Sequence, residues 1–231
     1  MAMFYAPDIL TSLELPEEES LHAMRVLRLH EGSEIILTDG KGSIYKAVIS
    51  RTSGKRCEVN ILERQTPSPL RSARIHIALA PTKNMERTEW FCEKATEIGI
   101  DAISFLICRR SERRELKTSR IEKIIISAMK QSQKATLPEL TPPEDFAIFA
   151  SRTFASQKYI AHCAEGEKTL LKEACTPGTD TLVLIGPEGD FSPEEIDLAV
   201  AHGFHPVSLG DCRLRTETAA LVACHTVALL N

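Results

Sequence analysis

Two glycines enclose a proline–glutamate pair directly after an apolar segment in the last third of the chain. The run reads Thr181-Leu-Val-Leu-Ile-Gly-Pro-Glu-Gly-Asp-Phe-Ser-Pro-Glu-Glu195. Gly186 and Gly189 allow backbone conformations, and a close approach to a ligand, that a Cβ atom would block. The same glycines could serve only a tight strand-to-helix turn, but their placement around Pro-Glu favours a ligand-binding loop. A helix should follow, because Ser192 and Glu195 have the spacing of a capping box.

This loop differs from the common nucleotide-binding loops. The chain contains neither G-x-x-x-x-G-K-[ST] nor G-x-G-x-x-G. The first pattern cradles the phosphates of ATP, and the second binds a dinucleotide. A P-loop ATPase and an enzyme with a standard Rossmann cofactor site are therefore disfavoured.

A second segment, Leu209-Gly-Asp-Cys-Arg-Leu-Arg-Thr-Glu-Thr-Ala219, precedes an apolar C-terminal helix. Thr216 is placed to cap this helix, and Glu217 would lie in its first turn, where the helix dipole favours negative charge. Because the helix is nearly apolar all round, we expect it to be buried in the core or at a subunit interface. Arg213, Arg215 and Glu217 beside it are costly unless they pair or bind a ligand. For Glu217, a structural ion pair with an arginine and a catalytic role are equally consistent with the pattern.

Charged residues are unevenly distributed along the chain. It has 28 basic and 32 acidic residues, a net charge of −4, yet one segment of net charge +6 holds nine bases and three acids. Such a patch on an acidic body is typical of a polyanion-binding surface, because neutralised phosphates release counterions. A solvated helix face is the alternative, since no aromatic residues are interleaved. The nine bases are Arg109, Arg110, Arg113, Arg114, Lys117, Arg120, Lys123, Lys130 and Lys134.

Length and composition set the broad class of protein. The chain has 231 residues, 43% hydrophobic and 26% charged, as expected for a globular protein of one large or two small domains. No apolar run reaches the roughly 20 residues of a membrane helix, and Met1–Leu15 lacks the pattern of a signal peptide. Seven cysteines without a C-x-x-C pair disfavour a metal site or disulfide framework and indicate reduced thiols in a cytoplasmic enzyme.

The N-terminal part of the chain is predicted to be rich in β-structure. Strands are expected at 34–38, 44–50 and 57–62, with a short helix at 20–29. Arg25 and Arg28 would lie on the exposed side of that helix. Together these elements indicate a small barrel or sheet module, and the two prolines of Arg64–Leu70 then predict a linker.

After the linker, strands alternate with helices. Strands are predicted at 75–80, 102–108, 158–163, 181–185 and 206–209, and helices at 85–98 and 119–131. This alternation indicates an α/β fold with a mainly parallel sheet and helices on both faces. Ligands bind such sheets at the loops that leave the carboxyl ends of the strands.

These motifs resemble the cofactor loops of SPOUT methyltransferases, and more specifically the RsmE-type family, which methylates N3 of a uridine in 16S ribosomal RNA. The resemblance rests on Gly186-Pro-Glu-Gly189, Leu209-Gly210 and Leu214-Arg-Thr-Glu-Thr-Ala219. It extends over the whole chain. His22, Val26-Leu-Arg28, Gly32 and Asp39-Gly40 match the family's PUA-like RNA-binding domain, and Lys83 and Glu93-Lys-Ala-Thr-Glu-Ile-Gly99 match the start of its catalytic domain.

The resemblance implies two domains: a PUA-like β-barrel that binds RNA, residues 1–68, and a methyltransferase domain, residues 69–231. The second domain would have a SPOUT-type parallel sheet and a C-terminal trefoil knot. A homodimer is also implied, which would cover the apolar last helix. The implied activity is S-adenosylmethionine-dependent methylation of uridine N3 in the decoding region, at position 1498, with 16S ribosomal RNA or the small ribosomal subunit as partner.

The resemblance further implies where the cofactor binds. Three loops would enclose a folded S-adenosylmethionine, with apolar walls around its adenine. The cofactor-binding residues would be Ala161, His162, Ile185, Gly186, Pro187, Glu188, Gly189, Leu209, Gly210, Leu214, Arg215, Thr216 and Ala219. No metal is expected.

Catalysis at uracil N3 requires the removal of a proton, because N3 is protonated at neutral pH. A general base is therefore expected, and Glu217 or His162 could supply it. Arg215 could instead stabilise the developing uracil anion, which would lower the need for a base. We favour Arg215 as the stabilising residue over Glu217 as the base.

Basic residues of both domains would contact RNA phosphates, which position the target while the flipped base is read. The expected RNA-binding residues are Arg25, Arg28, Lys83, Arg109, Arg110, Arg113, Arg114, Lys130 and Lys134.

The chain departs from the family pattern at three places. Asp190 replaces the last glycine of G-P-E-G-G, Asp211-Cys212 replaces a Pro-Arg pair, and Lys130–Lys134 differs from a Glu-Gln-Ser/Cys-x-Arg stretch. Two other functions therefore stay open: a non-catalytic RNA-binding or ribosome-assembly factor on a methyltransferase scaffold, and a SPOUT methyltransferase that acts on another RNA.

Overall fold

The chain forms two compact units in the computed structural model, which describes residues 2–231. The first contains residues up to Pro69 together with 126–137, and the second contains 70–125 and 138–231. Residues 126–137 were expected in the second domain. These residues belong with the first unit because Gly42 donates a backbone hydrogen bond to Ala135 (3.0 Å) and Leu137 donates one to Gly40 (2.8 Å).

A four-stranded sheet is the centre of the first unit. Its strands are β1 (Met3–Tyr5), β2 (Glu34–Thr38), β3 (Ile44–Ser53) and β4 (Arg56–Gln65), accompanied by helices α1 (Ile9–Ser12) and α2 (Glu17–Leu21). The strands are hydrogen-bonded in chain order, β1 parallel to β2 and the other pairs antiparallel. The predicted strand at 34–38 is confirmed, and the next two extend beyond their predicted ends.

The helix predicted at 20–29 is partly wrong. Instead, α2 continues into a π-helical turn, His22–Val26. The chain then turns at Arg28, whose φ of 54° lies in the left-handed region. Arg25 and Arg28 are exposed, as predicted.

A seven-stranded, fully parallel sheet is the centre of the second unit, which confirms the predicted α/β fold. Its strands are β5 (Ile75–Leu79), β6 (Ala102–Ile107), β7 (Glu139–Asp145), β8 (Gln157–Ala161), β9 (Thr169–Leu170), β10 (Thr181–Ile185) and β11 (His205–Ser208), in the order β7-β6-β5-β10-β8-β11-β9. The helices that follow α2 are α3 (Met85–Ile98), α4 (Thr118–Gln131), α5 (Phe146–Ala150), α6 (Leu171–Ala174), α7 (Pro193–Ala201) and α8 (Thr216–Leu230). No helix within residues 2–231 is both long and apolar enough to cross a membrane.

Local signals explain which elements were predicted well. Helix α3 has its predicted bounds because Asn84 caps its first turn and Gly99 ends it at a φ of 97°. Strand β7 was not predicted, since it contains Pro142 and Pro143. The two prolines are tolerated because β7 is an edge strand of the sheet.

The C-terminal helix α8 differs from its prediction in two respects. Thr216 is the first helical residue and not the cap; Arg215 occupies the cap position without a side-chain capping bond. The Thr216 hydroxyl cannot serve the helix because it donates to the Gly186 carbonyl (3.1 Å). Only one face of the helix is buried within the chain, since Ala220, Ala223, Cys224 and Val227 are inaccessible whereas Leu229 is 73% exposed. The trefoil knot stays a prediction.

Candidate active site

The loops after β5, β10, β8 and β11 leave the same edge of the parallel sheet, where these four strands are neighbours. The loops after β10, β8 and β11 line a cleft of about 880 Å³ and an adjoining cavity of about 310 Å³, which share Ala161, Cys163, Asp190, Arg213, Leu214 and Ala219. Both volumes lie within the roughly 300–1,000 Å³ of small-molecule sites. A cleft of suitable volume therefore lies at the edge of the sheet where the sequence predicts ligand binding.

All thirteen residues predicted to bind the cofactor line these two spaces. The larger cleft is lined by Ala161, His162, Gly189, Leu209, Gly210, Leu214 and Ala219. The smaller cavity adds Ile185, Gly186, Pro187, Glu188, Arg215 and Thr216. Segments separated by more than 50 residues in sequence thus form one continuous surface.

Three hydrogen bonds hold these loops to one another. Besides the bond from Thr216 to Gly186, the Cys163 amide donates to the Asp190 carboxylate (2.8 Å) and the Lys83 amide donates to the Glu188 carboxylate (2.9 Å). Each bond joins loops from different strands. The cleft is therefore formed by loops of fixed relative position.

The glycines of the loop are required by close packing. A Cβ atom on Gly186 would lie 3.1 Å from the Phe191 amide nitrogen, and one on Gly189 would lie 3.3 Å from Cβ of Arg110. The third position of interest, Asp190, adopts a left-handed φ of 63°. Aspartate tolerates this region better than most residues, so the departure from the family's glycine keeps the turn and adds a carboxylate that accepts from Cys163.

The segment after β6 reinforces the loops with arginine side chains. Arg110 donates to the carbonyls of Gly189 (2.8 Å) and Phe191 (3.2 Å). Arg113 donates to the Lys83 carbonyl (2.9 Å). We call Arg109–Arg113 the arginine strap, because it joins the loops after β5 and β10.

The strap is also fixed to α7. The Arg109 amide donates to Glu195 (2.7 Å), whose other carboxylate oxygen accepts from the Ser192 amide (2.8 Å) in the predicted capping box. The Arg109 guanidinium pairs with Glu194 (2.9 Å). The carboxylates of α7 thus join the strap to the start of this helix.

The residues predicted to bind RNA differ in whether their side chains are already paired within the chain. Lys83 pairs with Glu112 (2.7 Å), and Lys130 pairs with the buried Glu19 (2.5 Å) inside the first unit. Lys134 is also engaged within the chain. Within residues 2–231, by contrast, no hydrogen bond or ion pair involves the side chain of Arg25, Arg28 or Arg114.

His162 lies half-buried in the wall of the larger cleft. Both of its ring nitrogens are buried and lack a hydrogen-bond partner among residues 2–231. Burial and the nearby Lys168 ammonium lower the pKa of His162, so the neutral imidazole is favoured at pH 7. Such a side chain can donate to or accept from a bound ligand.

The two predicted catalytic residues face different spaces. Arg215 is exposed and lines the smaller cavity. Glu217 is 8% exposed and lines a separate pocket, with one carboxylate oxygen 3.7 Å from Nε of Arg87. Arg87 lines both the smaller cavity and that pocket. Arg87 is therefore shared by the two spaces that the candidate residues line. It was not among the residues predicted from the sequence.

Several residues of the site had little sequence signal. Arg87 lies in the first turn of α3 as one of several charges, and the contacts of Arg110 depend on a loop 79 residues away. Asp190 had a signal, since an aspartate at a glycine position indicates a left-handed turn. The partner of its carboxylate could not be read from the sequence.

Comparisons with known proteins agree with this architecture. Residues 68–228 match the sequence profile of the RNA methyltransferase domain, and residues 15–62 match that of the RNA methyltransferase PUA domain. A structure from Porphyromonas gingivalis described as a probable rRNA-methyltransferase is 45% identical, with a TM-score of 0.94 over 99% of both chains. A curated ribosomal RNA small subunit methyltransferase E from Synechocystis is 30% identical over 210 residues, which are 87% of this chain and 68% of the relative.

The chain belongs to the ribosomal RNA small subunit methyltransferase E family. A member of this family from Neisseria gonorrhoeae was crystallised with bound S-adenosyl methionine. It is 29% identical to this chain, with a TM-score of 0.89 over 100% of this chain and 98% of its own. Family membership agrees with the resemblance found in the sequence motifs.

Proposed function

We propose that the protein transfers a methyl group from S-adenosylmethionine to N3 of a uridine in 16S ribosomal RNA, at position 1498 of the decoding region. The observation that carries this proposal is the convergence of three loops of the parallel sheet into one cleft in a chain of this family. The cofactor of the Neisseria gonorrhoeae relative supports the choice of methyl donor.

The residues of the cleft fit S-adenosylmethionine. Leu209, Leu214 and Ala219 provide apolar surface for an adenine ring, and the unpartnered nitrogens of His162 can bond to a polar group of the ligand. The loop glycines bring backbone amides and carbonyls to the wall. When bound, the cofactor supplies an electrophilic methyl carbon.

Arg215 and Glu217 would have different roles in the reaction of the uracil. Arg215 is exposed at the smaller cavity, where its guanidinium can stabilise negative charge on the uracil oxygens as the N3 proton leaves. Glu217, held beside Arg87, would accept that proton. His162 is the alternative base, since its neutral imidazole faces the larger cleft.

Asp190 and the arginine strap support an active enzyme over a non-catalytic factor. Asp190 keeps the turn of the glycine loop in place of a glycine, and the strap holds that loop at two carbonyls. Both features preserve the geometry of the cofactor loops. The departure at Asp190 thus keeps the turn of the glycine loop.

The first unit would bind RNA. The protein would act in the cytoplasm, with 16S ribosomal RNA or the small ribosomal subunit as its partner. Arg25 and Arg28 provide charges that are unengaged within residues 2–231. We also propose a homodimer across the stripe of α8 that contains the half-buried Val222 and the exposed His225 and Leu229. Light scattering should then show a dimer for the native chain and a monomer for Leu229→Glu.

Mass mapping of ribosomal RNA tests the proposal directly. Cells without the protein should lack one N3-methyluridine in 16S ribosomal RNA, and the recombinant protein with S-adenosylmethionine should restore it. Calorimetry should show S-adenosylmethionine binding, which Arg215→Ala should weaken far less than it slows turnover. Absence of both cofactor binding and the modification would favour the non-catalytic assembly factor, and a methylated nucleotide in another RNA would favour the other SPOUT function.

A further inference from the structure

A pocket of about 370 Å³ lies where the start of α3 meets the start of α8. It is lined by Asn84, Glu86, Arg87, Trp90, Glu217 and Thr218. Its walls combine an aromatic ring, a guanidinium, an amide and a carboxylate. This is the donor, acceptor and stacking set that proteins use to read an unpaired base.

Glu217 is the residue of this pocket whose buried carboxylate a ligand would stabilise most. Its side chain is only 10% exposed, and its Oε1 lies 3.7 Å from Nε of Arg87, outside ordinary hydrogen-bond distance. Its Oε2 is buried without any hydrogen-bond partner among residues 2–231. A buried carboxylate oxygen without a donor is costly, so an N–H group of a ligand would be stabilised there.

Trp90 supplies the stacking surface. It is 42% exposed although tryptophan is the largest apolar side chain, and it is the only tryptophan in the chain. Exposed aromatic rings in nucleic-acid-binding proteins stack on unpaired bases. The ring is on α3, one turn from Arg87, so both side chains can face one occupant.

We propose that this pocket holds the flipped target base and selects uracil over cytosine; the inference rests on the proposed function. Uracil presents an N3–H donor between two carbonyl acceptors. The Glu217 carboxylate would accept from N3–H, and Arg87 would donate to the adjacent carbonyl. Cytosine would place the N3 lone pair against the carboxylate and leave Arg87 one acceptor fewer, and both changes disfavour binding.

The position of the pocket agrees with methylation at N3. Arg87 lines both this pocket and the smaller cavity that Gly186 and Arg215 also line. A base edge bound by Arg87 and Glu217 therefore lies next to the cofactor loops. The carboxylate that reads N3–H also receives its proton, which leaves the N3 lone pair free for methylation.

The intrinsic fluorescence of Trp90 tests the proposal in the full-length protein. The probes are two RNA oligonucleotides that differ only in one unpaired nucleotide, uridine or cytidine. The uridine oligonucleotide should quench the emission and bind at least about 10-fold more tightly, as expected when a site reads a hydrogen-bond donor. Equal quenching and equal affinity for both oligonucleotides would overturn the proposal.

Two matched variants separate recognition by Glu217 from general charge effects. Glu217→Gln should reduce the uridine preference to about 2-fold, because glutamine offers both an acceptor and a donor. Glu122→Gln removes an exposed carboxylate outside this pocket and should keep the preference. Loss of the preference in both variants, or in neither, would contradict the assignment of Glu217.

Calorimetry with S-adenosylmethionine distinguishes this inference from the proposed function. Cofactor binding and methyl transfer without a Trp90 response would overturn the pocket assignment alone. A uridine-specific Trp90 response without cofactor binding would overturn the methyltransferase proposal and keep the pocket. Emission that changes with protein concentration but not with RNA would show a second copy of the chain over Trp90 and would also overturn the assignment.

Discussion

Two sets of arginines, one in each unit, were predicted to bind RNA, and the structure shows that they differ. Within residues 2–231, the side chains of Arg25 and Arg28 of the first unit are exposed and make no hydrogen bond or ion pair. Arg110 and Arg113 in the arginine strap donate to backbone carbonyls of the loops after β5 and β10. Because their N–H donors bond to these carbonyls, the two guanidinium groups hold the loops in position and are less available to RNA phosphates. Charge density in a sequence therefore does not separate a phosphate-binding surface from an internal support.

Acidification should produce the largest difference between the two units. Burial lowers the pKa of His76 to about 4 and also lowers that of His162, and both lie in the second unit. Because these folded-state pKa values are below the unfolded value of about 6.5, the unfolded chain binds more protons as the pH falls from 6.5 towards 4. The second unit should lose about 2–3 kcal/mol of stability over this range.

Amide hydrogen exchange at pH 7 and pH 4.5 measures this loss in each unit separately. His76→Gln should flatten the pH dependence, since glutamine does not titrate. A loss confined to the first unit would contradict the prediction.

Charge reversal in the first unit should have the next largest effect. We expect Arg25→Glu with Arg28→Glu to weaken RNA binding by about 100-fold at low salt, since two phosphate contacts become repulsive. The slope of log K against log salt should fall by about 2, as measured by fluorescence anisotropy. Binding of S-adenosylmethionine should not change, and a comparable loss there would contradict the division between the two arginine sets.

Removal of Arg110 should instead weaken the binding of S-adenosylmethionine more than the binding of RNA. Arg110→Ala takes two hydrogen bonds from the glycine loop, at Gly189 and Phe191. At about 1 kcal/mol for each of the two bonds, the Kd for S-adenosylmethionine should rise by up to about 30-fold, as measured by calorimetry. Arg114→Ala is the matched control, because Arg114 is exposed and lacks a partner within residues 2–231. If Arg110→Ala instead lowered only the salt slope of RNA binding, the strap would be a phosphate surface.

The smallest effects are expected at two residues with left-handed backbone, Arg28 (φ 54°) and Asp190 (φ 63°). Arg28→Gly relieves strain and should raise the free energy of unfolding by about 0.5 kcal/mol while it weakens RNA binding. Asp190→Ala increases the strain, because aspartate tolerates this region better than alanine, and loses the bonds from the Cys163 and Phe191 amides, so it should lower that free energy by about 1–2 kcal/mol. Urea denaturation measures both. An unchanged free energy of unfolding in Asp190→Ala would show that its carboxylate does not stabilise the loop.

The sequence predicted elements that depend on local signals. Strand β10 consists of five buried apolar or β-branched residues, and α3 lies between Asn84 and Gly99, so the bounds of both were predicted correctly. The residues predicted to bind the cofactor were taken from motifs, and the structure places them around a cleft and an adjoining cavity.

Features that depend on distant partners could not be predicted. The Thr216 hydroxyl donates to a carbonyl 30 residues away, and Arg110 bonds to residues about 80 positions later. Strand β7 exists because it pairs with β6 despite its prolines. In each case the deciding interaction forms only after the sheet has brought the segments together.

The helix α4 begins among the residues of the second unit, and its last turns belong to the first. An excised N-terminal fragment that ended at Pro69 would lack Ala135 and Leu137, whose backbone groups pair with the Gly40–Gly42 turn. A chimaera that exchanges the N-terminal module between relatives must therefore graft two separate stretches of chain, and a single-junction fusion at the linker would leave that turn unpaired.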